Sequence, residues 1–306
     1  MTHHRPHVDE IVAIRLLQKY GRKTFPGIEK ANFAFWDAGA RSKDPKSWAD
    51  YLQQGLLLVG IGGGCFDEHP SATIDRAKGH CAATLVAEYL GISNNPELHQ
   101  LLKYTLANDT KGSVNPLDLG AMIHLANKHW WEKDMQGTLT WALQLIDLYL
   151  LDQEKFFSET KKEYDKWAKI IPVVYKGRDI NIVAIQSDDQ NVGAYARSSN
   201  GCNAAVVIQQ NIKKQVIIVS QKRANINFDS VAVKLRKEEA RIKKIDVSRM
   251  NLAVDGTIPQ LEEWYYDKPA NRLLNGSLSA PHVSATKLEF DYIINLVYEK
   301  LSQKEN

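Results

Sequence analysis

The stretch GLLLVGIGGGCFDEH, residues 55–69, decides how the N-terminal half of this 306-residue chain is read. Between Gly55 and Gly60 runs an uninterrupted apolar segment closed by glycines, the pattern of a strand buried on both faces. The glycines beyond it let the backbone turn tightly and approach a ligand closely. Asp67, Glu68 and His69 then stand at the C-terminal edge of that strand, where open α/β sheets place their sites. By itself, a glycine run with an acidic tip is more often a solvated turn.

Upstream, residues 8–20 carry apolar residues at helical spacing (Ile11, Ile14, Leu17), with Gly21 as a C-cap. Residues 31–36 read as a strand ending at Asp37, and residues 45–54 as a short helix. Downstream, helices are expected over residues 77–89, 96–107 and 116–130, the last two with Pro near the first turn. Strand and helix alternate, so the expected N-terminal lobe (residues 1–150) is α/β, a parallel sheet flanked by helices. Residues 137–170 form a long helical stretch, apolar first and charged later, and residues 151–175 are expected to act as a helical linker. Beyond them the pattern changes to β runs at 180–185, 204–209 and 215–220, a basic helix at 230–244 and a final amphipathic helix at 288–301. Residues 176–306 thus read as a smaller α+β substrate-binding lobe, with a cleft expected between the two.

Composition agrees with a globular chain long enough for two cores: 44% hydrophobic, 25% charged, seven Trp and twelve Tyr. The most apolar stretch, residues 138–151, is interrupted by Gln144 and Asp147, so no membrane span is expected. The first residues are too polar for a signal peptide. Three cysteines without CxxC spacing (Cys65, Cys81, Cys202) argue against a disulfide scaffold or zinc knuckle and fit a reducing, cytoplasmic location. The net charge of +3 is uneven, +4 from Ile171 onward and −1 before it. The basic run KLRKEEARIKK, residues 234–244, reads first as a helix face with mixed-sign pairs.

Two further groups can do chemistry. Thr2-His3-His4-Arg5-Pro6-His7-Val8-Asp9-Glu10 precedes the first helix, and imidazole and carboxylate so closely spaced can face one divalent ion. The helix N-terminus adds donors for a phosphate. Asp109, in the ANDTKG segment at residues 107–112, lies where the preceding helix is expected to end.

In this order the three groups resemble the DHH phosphoesterase superfamily, and within it the melanocyte proliferating gene family of metal-dependent RNA exonucleases. That family carries TH…HCDEA, DVGG…YDHH and AIDNG blocks. The counterparts are Thr2-His3…His7-Val8-Asp9-Glu10, then Val59-Gly60-Ile61-Gly62-Gly63…Phe66-Asp67-Glu68-His69, then Ala107-Asn108-Asp109-Thr110-Lys111-Gly112. The resemblance covers roughly residues 1–130. It implies divalent metal, Mn²⁺ or Mg²⁺, with His3, His7 and Asp9 as ligands and Asp109 on a second ion. It further implies that His69 faces the scissile phosphate and that Asp67 orients it.

Two positions depart from the pattern. Gly60 stands where the family's ion-bridging Asp sits, and Glu68 replaces the middle His of the triplet. Glu is an acceptable ligand for either ion. For the missing bridge three outcomes are open: Asp37 or Glu68 takes its place, the site holds one ion, or activity is lost. In the second lobe Asn275 to His282 looks like the family's glycine-rich, phosphate-binding end, Arg197 is a candidate anion clamp, and Trp264-Tyr265-Tyr266 could stack a base. The function expected is metal-dependent hydrolysis of phosphodiester or phosphoanhydride bonds in nucleotides or short oligonucleotides. The rival is a non-catalytic nucleotide- or RNA-binding protein on a degenerated scaffold.

Overall fold

The computed structural model describes residues 1–37, 47–69, 79–277 and 279–303. They form two compact units, Met1–Glu154 and Lys155–Asn306.

In the first unit, β1 (Thr2–His3) leads into α1 (Val8–Tyr20) and pairs in parallel with β2 (Phe35–Trp36). On its other side residues 57–59 run beside Met1: the Met1 amine donates to the Leu57 carbonyl at 2.6 Å, and the Val59 N–H donates to the Met1 carbonyl at 2.9 Å. The expected parallel sheet is therefore a two-stranded ladder with an extended neighbour, because β1 and β2 pair over two residues each and residues 57–59 bond only to Met1. After α2 (Trp48–Gln53) and the glycine loop come α3 (Ala82–Tyr89), α4 (His99–Lys111), α5 (Leu119–His129) and α6 (Met135–Lys155). Residues 45, 46, 77 and 78 of the expected helices lie outside the described residues.

The core of this unit is α1. Ile11, Val12, Ala13 and Leu16 are all buried, so the helix is covered nearly all round rather than along one stripe. It packs against α3, α4 and α5. Each buried Ile or Leu there contributes roughly 1.5–3 kcal/mol over an exposed one. Packing α4 onto α1 brings the end of α4 close to the first turn of α1.

In the second unit a π-helical turn (Phe156–Thr160) and α7 (Lys161–Trp167) precede β3 (Lys169–Tyr175), a strand where a helical linker was expected. Then follow β4 (Arg178–Gln186), α8 (Val192–Arg197), β5 (Val206–Gln210), β6 (Val216–Ser220), α9 (Asp229–Lys243), β7 (Gly256–Ile258), β8 (Leu261–Asp267), β9 (Arg272–Leu274) and α10 (Phe290–Ser302). Seven strands make one mixed sheet in the order β3-β4-β5-β6-β9-β8-β7, in which β4 and β5 are parallel and the other neighbours antiparallel. The larger sheet thus belongs to the second unit, which is only two residues shorter than the first.

The basic run on α9 is accounted for within that unit. Glu238 pairs with Lys234 at 2.6 Å and Arg241 at 2.9 Å, and Lys243 reaches Glu263 at 2.8 Å. Arg236 is fully buried and donates to the carbonyls of Leu252, Val254, Gly256 and Trp264. Trp264 and Tyr266, proposed above to stack a base, are core residues, and of that trio only Tyr265 is exposed.

Candidate metal centre

The turn between β1 and α1 is held from behind. Asn127, buried on α5, donates to the Pro6 carbonyl at 2.9 Å, and Arg5 pairs with Glu132 at 2.5 Å. His7 caps α1, its backbone N–H donating to Glu10 Oε2 at 2.8 Å. Asp9 and Glu10 therefore sit in the first turn of α1, where the helix dipole favours negative charge. Both are about 1% exposed, which is rare for carboxylates without a compensating charge.

Three sets of ligand atoms result. In each of them one atom per residue lies within 4.8 Å of the other two: His3, His7 and Glu10 form one set, Asp9, Glu68 and Asp109 a second, and Asp67, Glu68 and His69 a third that shares Glu68 with the second. The first-turn residues were expected to divide differently, with Asp9 joining the two histidines. On a helix, consecutive residues point about 100° apart, so Asp9 and Glu10 face different neighbours. Asp9 faces Glu68 and Asp109; Glu10 faces His3.

His3 has the orientation of a metal ligand. Its Nδ1 lies 2.7 Å from the His4 carbonyl, which can only accept, so Nδ1 carries the proton. Nε2 then presents a lone pair toward Glu10 Oε1, 2.9 Å away, and a proton or a cation must lie between them. Burial works to lower the His3 pKa, but the hydrogen bond and charge of Glu10 outweigh it and raise it. Glu10 feels burial too, yet His3 holds its carboxyl down to about 2. Asp9 goes the other way. Burial first, then the charges of Glu10, Asp109 and Glu68, push it up to about 10. Glu68 and Asp109 are also raised, chiefly by burial. The two adjacent carboxyls thus hold one proton between them. Among the described residues neither Asp9 Oδ atom nor Glu68 Oε2 has a hydrogen-bond partner.

A divalent cation fits this arrangement. It gives the orphaned Asp9 and Glu68 oxygens a partner, offsets the charge of four carboxylates of which Asp9 and Glu10 are buried, and takes the lone pair of an oriented imidazole.

The glycine loop supplies the opposite wall. Asp67, itself buried, accepts from the backbone N–H of Gly63 and of His69 and lies 3.0 Å from His69 Nδ1, so it folds the loop and orients that ring together. The His69 side chain is 66% exposed, with Glu68 Oε1 3.3 Å from the same nitrogen. Beside His7 opens a cavity of about 470 Å³ lined by Asn108, Ser113, Gly120, His124 and Leu125 among others.

Gly60 explains the most about the centre. Its φ is +66°, a conformation glycine adopts freely, and a Cβ there would meet Glu10 Cγ at 2.7 Å and Glu10 Oε1 at 2.8 Å. The Glu10 carboxylate occupies the space into which a side chain at position 60 would project. Sequence reasoning quoted Glu10 but gave it no role. The available signal was the coincidence of a carboxylate at the third helical position with a glycine at the expected bridge.

Other expected site residues lie elsewhere. The Asp37 side chain is 93% exposed and 4.0 Å from His4 Nε2, outside all three sets, because the strand carrying it ends at the surface. In the second unit Asn275 is fully buried. Its amide donates to the carbonyls of Glu263 and Ser284, and its Oδ1 accepts from the Thr286 N–H, each at 2.8 Å, so it ties the backbone and has no donor left for a ligand. His282 is exposed, in a segment anchored where Gln215 donates to the Val283 carbonyl at 2.8 Å. Leu278 of that segment lies outside the described residues. Arg197 ends α8 half-buried, and burial lowers its pKa from the usual arginine value. A separate cavity of about 520 Å³, lined by Ser187, Gln209, Gln215, Arg272 and Ser277 among others, lies in this unit.

No family model matches the chain, and no curated protein matches it. Among solved structures, an uncharacterized protein from Helicobacter pylori G27 is 11% identical over 98% of this chain and 97% of its own, with a TM-score of 0.30. A putative family II inorganic pyrophosphatase from Methanococcus jannaschii is 14% identical over 73% of this chain and 88% of its own, with a TM-score of 0.15. Likenesses this weak add nothing to the reading of the site. Among the described residues no helix is long and apolar enough to cross a membrane.

Proposed function

We propose that the first unit is a divalent-metal-dependent hydrolase of phosphate esters or anhydrides, acting on nucleotides or short oligonucleotides. The observation that carries this reading is the buried Asp9 carboxylate, without a hydrogen-bond partner among the described residues, grouped with Glu68 and Asp109 and next in sequence to Glu10 of the His3 and His7 set. A cation bound there supplies an activated water and a counter-charge for the phosphoryl oxygens. His3, His7, Asp9, Glu10, Glu68 and Asp109 would hold it. His69, flanked by Asp67 and Glu68, would carry a proton on Nε2, the nitrogen left facing solvent, and donate it to the departing oxygen. The cavity beside His7 would take the organic part of the substrate, its leucine and isoleucine side chains offering an apolar wall to a base or sugar. Residues 176–306 would serve as a substrate-binding domain, with the cavity that Ser187, Gln209 and Arg272 help to line as its candidate surface. The rival, a non-catalytic binder, drew its support from Gly60, and Glu10 in the space above that glycine removes most of it.

The test is turnover of bis(p-nitrophenyl) phosphate, pyrophosphate and a short oligonucleotide, with Mn²⁺ and with chelator. Mn²⁺-dependent hydrolysis that Asp9→Asn lowers at least a hundredfold is expected. A folded protein that binds Mn²⁺ and turns over none of the three overturns the proposal.

A further inference from the structure

Positive charge is concentrated in one segment of the second unit. Residues 161–178, KKEYDKWAKIIPVVYKGR, hold six basic and two acidic residues, a formal +4, against +3 for the whole chain. They form α7, the edge strand β3 and the turn into β4. Side chains alternate along a strand, so β3 has two faces. Val173 and Tyr175 enter the core shared with α9 and α10. Ile170, Pro172 and Val174 lie on the opposite face, in register with Val183, Asn181 and Asp179 of β4. There Tyr164 of α7 and Tyr195 of α8 cover Val183, but the helical layer stops at β4. Ile170 is 47% exposed and Val174 57%, with Pro172 exposed between them and Trp167, the last residue of α7, 55% exposed.

Basic side chains border this apolar strip. Lys162 and Lys166 stand one turn apart on α7, Lys169 begins β3, and Lys176 and Arg178 flank the hairpin turn. Lys162, Lys166, Lys169 and Arg178 are exposed and in no ion pair among the described residues, while Asp165 is taken by Lys161. Arg178 donates to the Ala224 carbonyl at 2.9 Å, which sets the turn with exposed Lys222 and Arg223 against the same end of the strip. An exposed apolar patch with a charged rim marks a contact surface, and its details select the partner. A second copy adding a strand is opposed by Pro172, which has no N–H to donate in the middle of the edge. A nucleic-acid strand needs open aromatic faces for its bases, whereas Lys166 Nζ sits 4.6 Å over the ring of Trp167. Aliphatic side chains and a Trp ringed by lysines fit the boundary of an anionic bilayer. The apolar groups enter between headgroups and acyl chains, and the ammonium groups, on long stems, stay with the phosphates.

We propose that this edge of the second unit docks peripherally on anionic phospholipid surfaces. Co-sedimentation of the full chain, in chelator, with vesicles of phosphatidylcholine alone and with about one third phosphatidylserine tests it. The wild type is expected to sediment with the serine-containing vesicles, to ignore phosphatidylcholine alone, and to be released by rising salt. Each lysine near such a surface is worth about fivefold in partition, so Lys166→Gln, Lys169→Gln and Lys176→Gln together should lower it on the order of a hundredfold. Ile170→Ser with Val174→Ser, which leaves the charge unchanged, should lower it at least tenfold. Quenching of Trp fluorescence by lipid brominated near the headgroup should be present in the wild type and reduced in Trp167→Phe. The substituted side chains are exposed, and circular dichroism checks that each variant is folded. Equal binding to both vesicle types, or none to either, overturns the proposal. So does a folded triple lysine variant or double serine variant that partitions like the wild type. A wild type that ignores vesicles but binds single-stranded RNA, with affinity lost in the triple variant, also overturns it and reassigns the lysines to a nucleic acid.

Discussion

In the absence of metal, Asp9→Asn should stabilise this protein at pH 8, although it removes a carboxylate from the centre. The sign follows from linkage. Asp9 has its folded-state pKa raised from 3.8 to about 10, so between those values the folded state holds a proton that the unfolded state has lost. Stability tied to that proton is fully present below the unfolded pKa and declines as pH rises. His3, Glu68 and Asp109 are also raised, so each contributes with the same sign above its own unfolded pKa. Glu10 is lowered to about 2, but its effect falls below pH 4.5 and does not oppose the trend near neutrality. One proton linked in this way changes stability by about 1.4 kcal/mol per pH unit. From pH 5 to pH 8 the ceiling for Asp9 alone is about 4 kcal/mol, on the order of 10 °C in melting temperature for a unit of this size. Asparagine removes that loss because it never ionises. Thermal melts in chelator at pH 5, 6, 7 and 8 should show the wild type losing stability toward pH 8 while Asp9→Asn changes less. Saturating Mn²⁺ should flatten or reverse the wild-type slope, since the cation takes the place of the proton, and should do little for the variant. A wild type that becomes more stable from pH 5 to pH 8 in chelator, or an Asp9→Asn protein melting below it at pH 8, would refute the reasoning.

Three other substitutions separate the centre from its surroundings. Asn127→Ala leaves the buried Pro6 carbonyl without its partner and should cost about 1–3 kcal/mol in a denaturant titration. It should also weaken Mn²⁺ binding, because the turn carrying His3 and His7 loses its support. Asp37→Ala should leave the Mn²⁺ titration unchanged, its side chain being almost wholly in solvent. Asn275→Ala removes three buried hydrogen bonds and should destabilise the second unit by roughly 2–4 kcal/mol, while Mn²⁺ binding to the first unit stays as in the wild type.

Elements with their own periodicity were legible in the sequence. Helix α1, the β4, β5 and β6 strands, and α9 and α10 lie within a few residues of where spacing put them. The β3, β8 and β9 strands were not seen, for different reasons. The β3 strand contains Pro172, follows a helix without a break and sits at the sheet edge, where a missing N–H is tolerated. The β8 strand alternates aromatic and acidic residues over a short span, and β9 has only three residues, held by pairing with β6 and β8. Such pairing joins segments far apart in the chain, and no local pattern reports it. In the centre, the residue types and their order were readable, but the division of labour between Asp9 and Glu10 was not. It depends on which way each points from the first turn of α1 and on what is absent at Gly60, fifty positions away. Asp37 was placed by its position after a strand, a cue that fails when the strand is two residues long.

The contact between Gly60 and Glu10 also constrains how this centre can change over generations. An aspartate at position 60 would collide with Glu10, and loss of Glu10 alone would empty the space over Gly60 of its carboxylate. A change at either position therefore calls for a compensating change at the other. The two are expected to vary together, and a reading of position 60 by itself would miss the carboxylate that position 10 supplies to the same space.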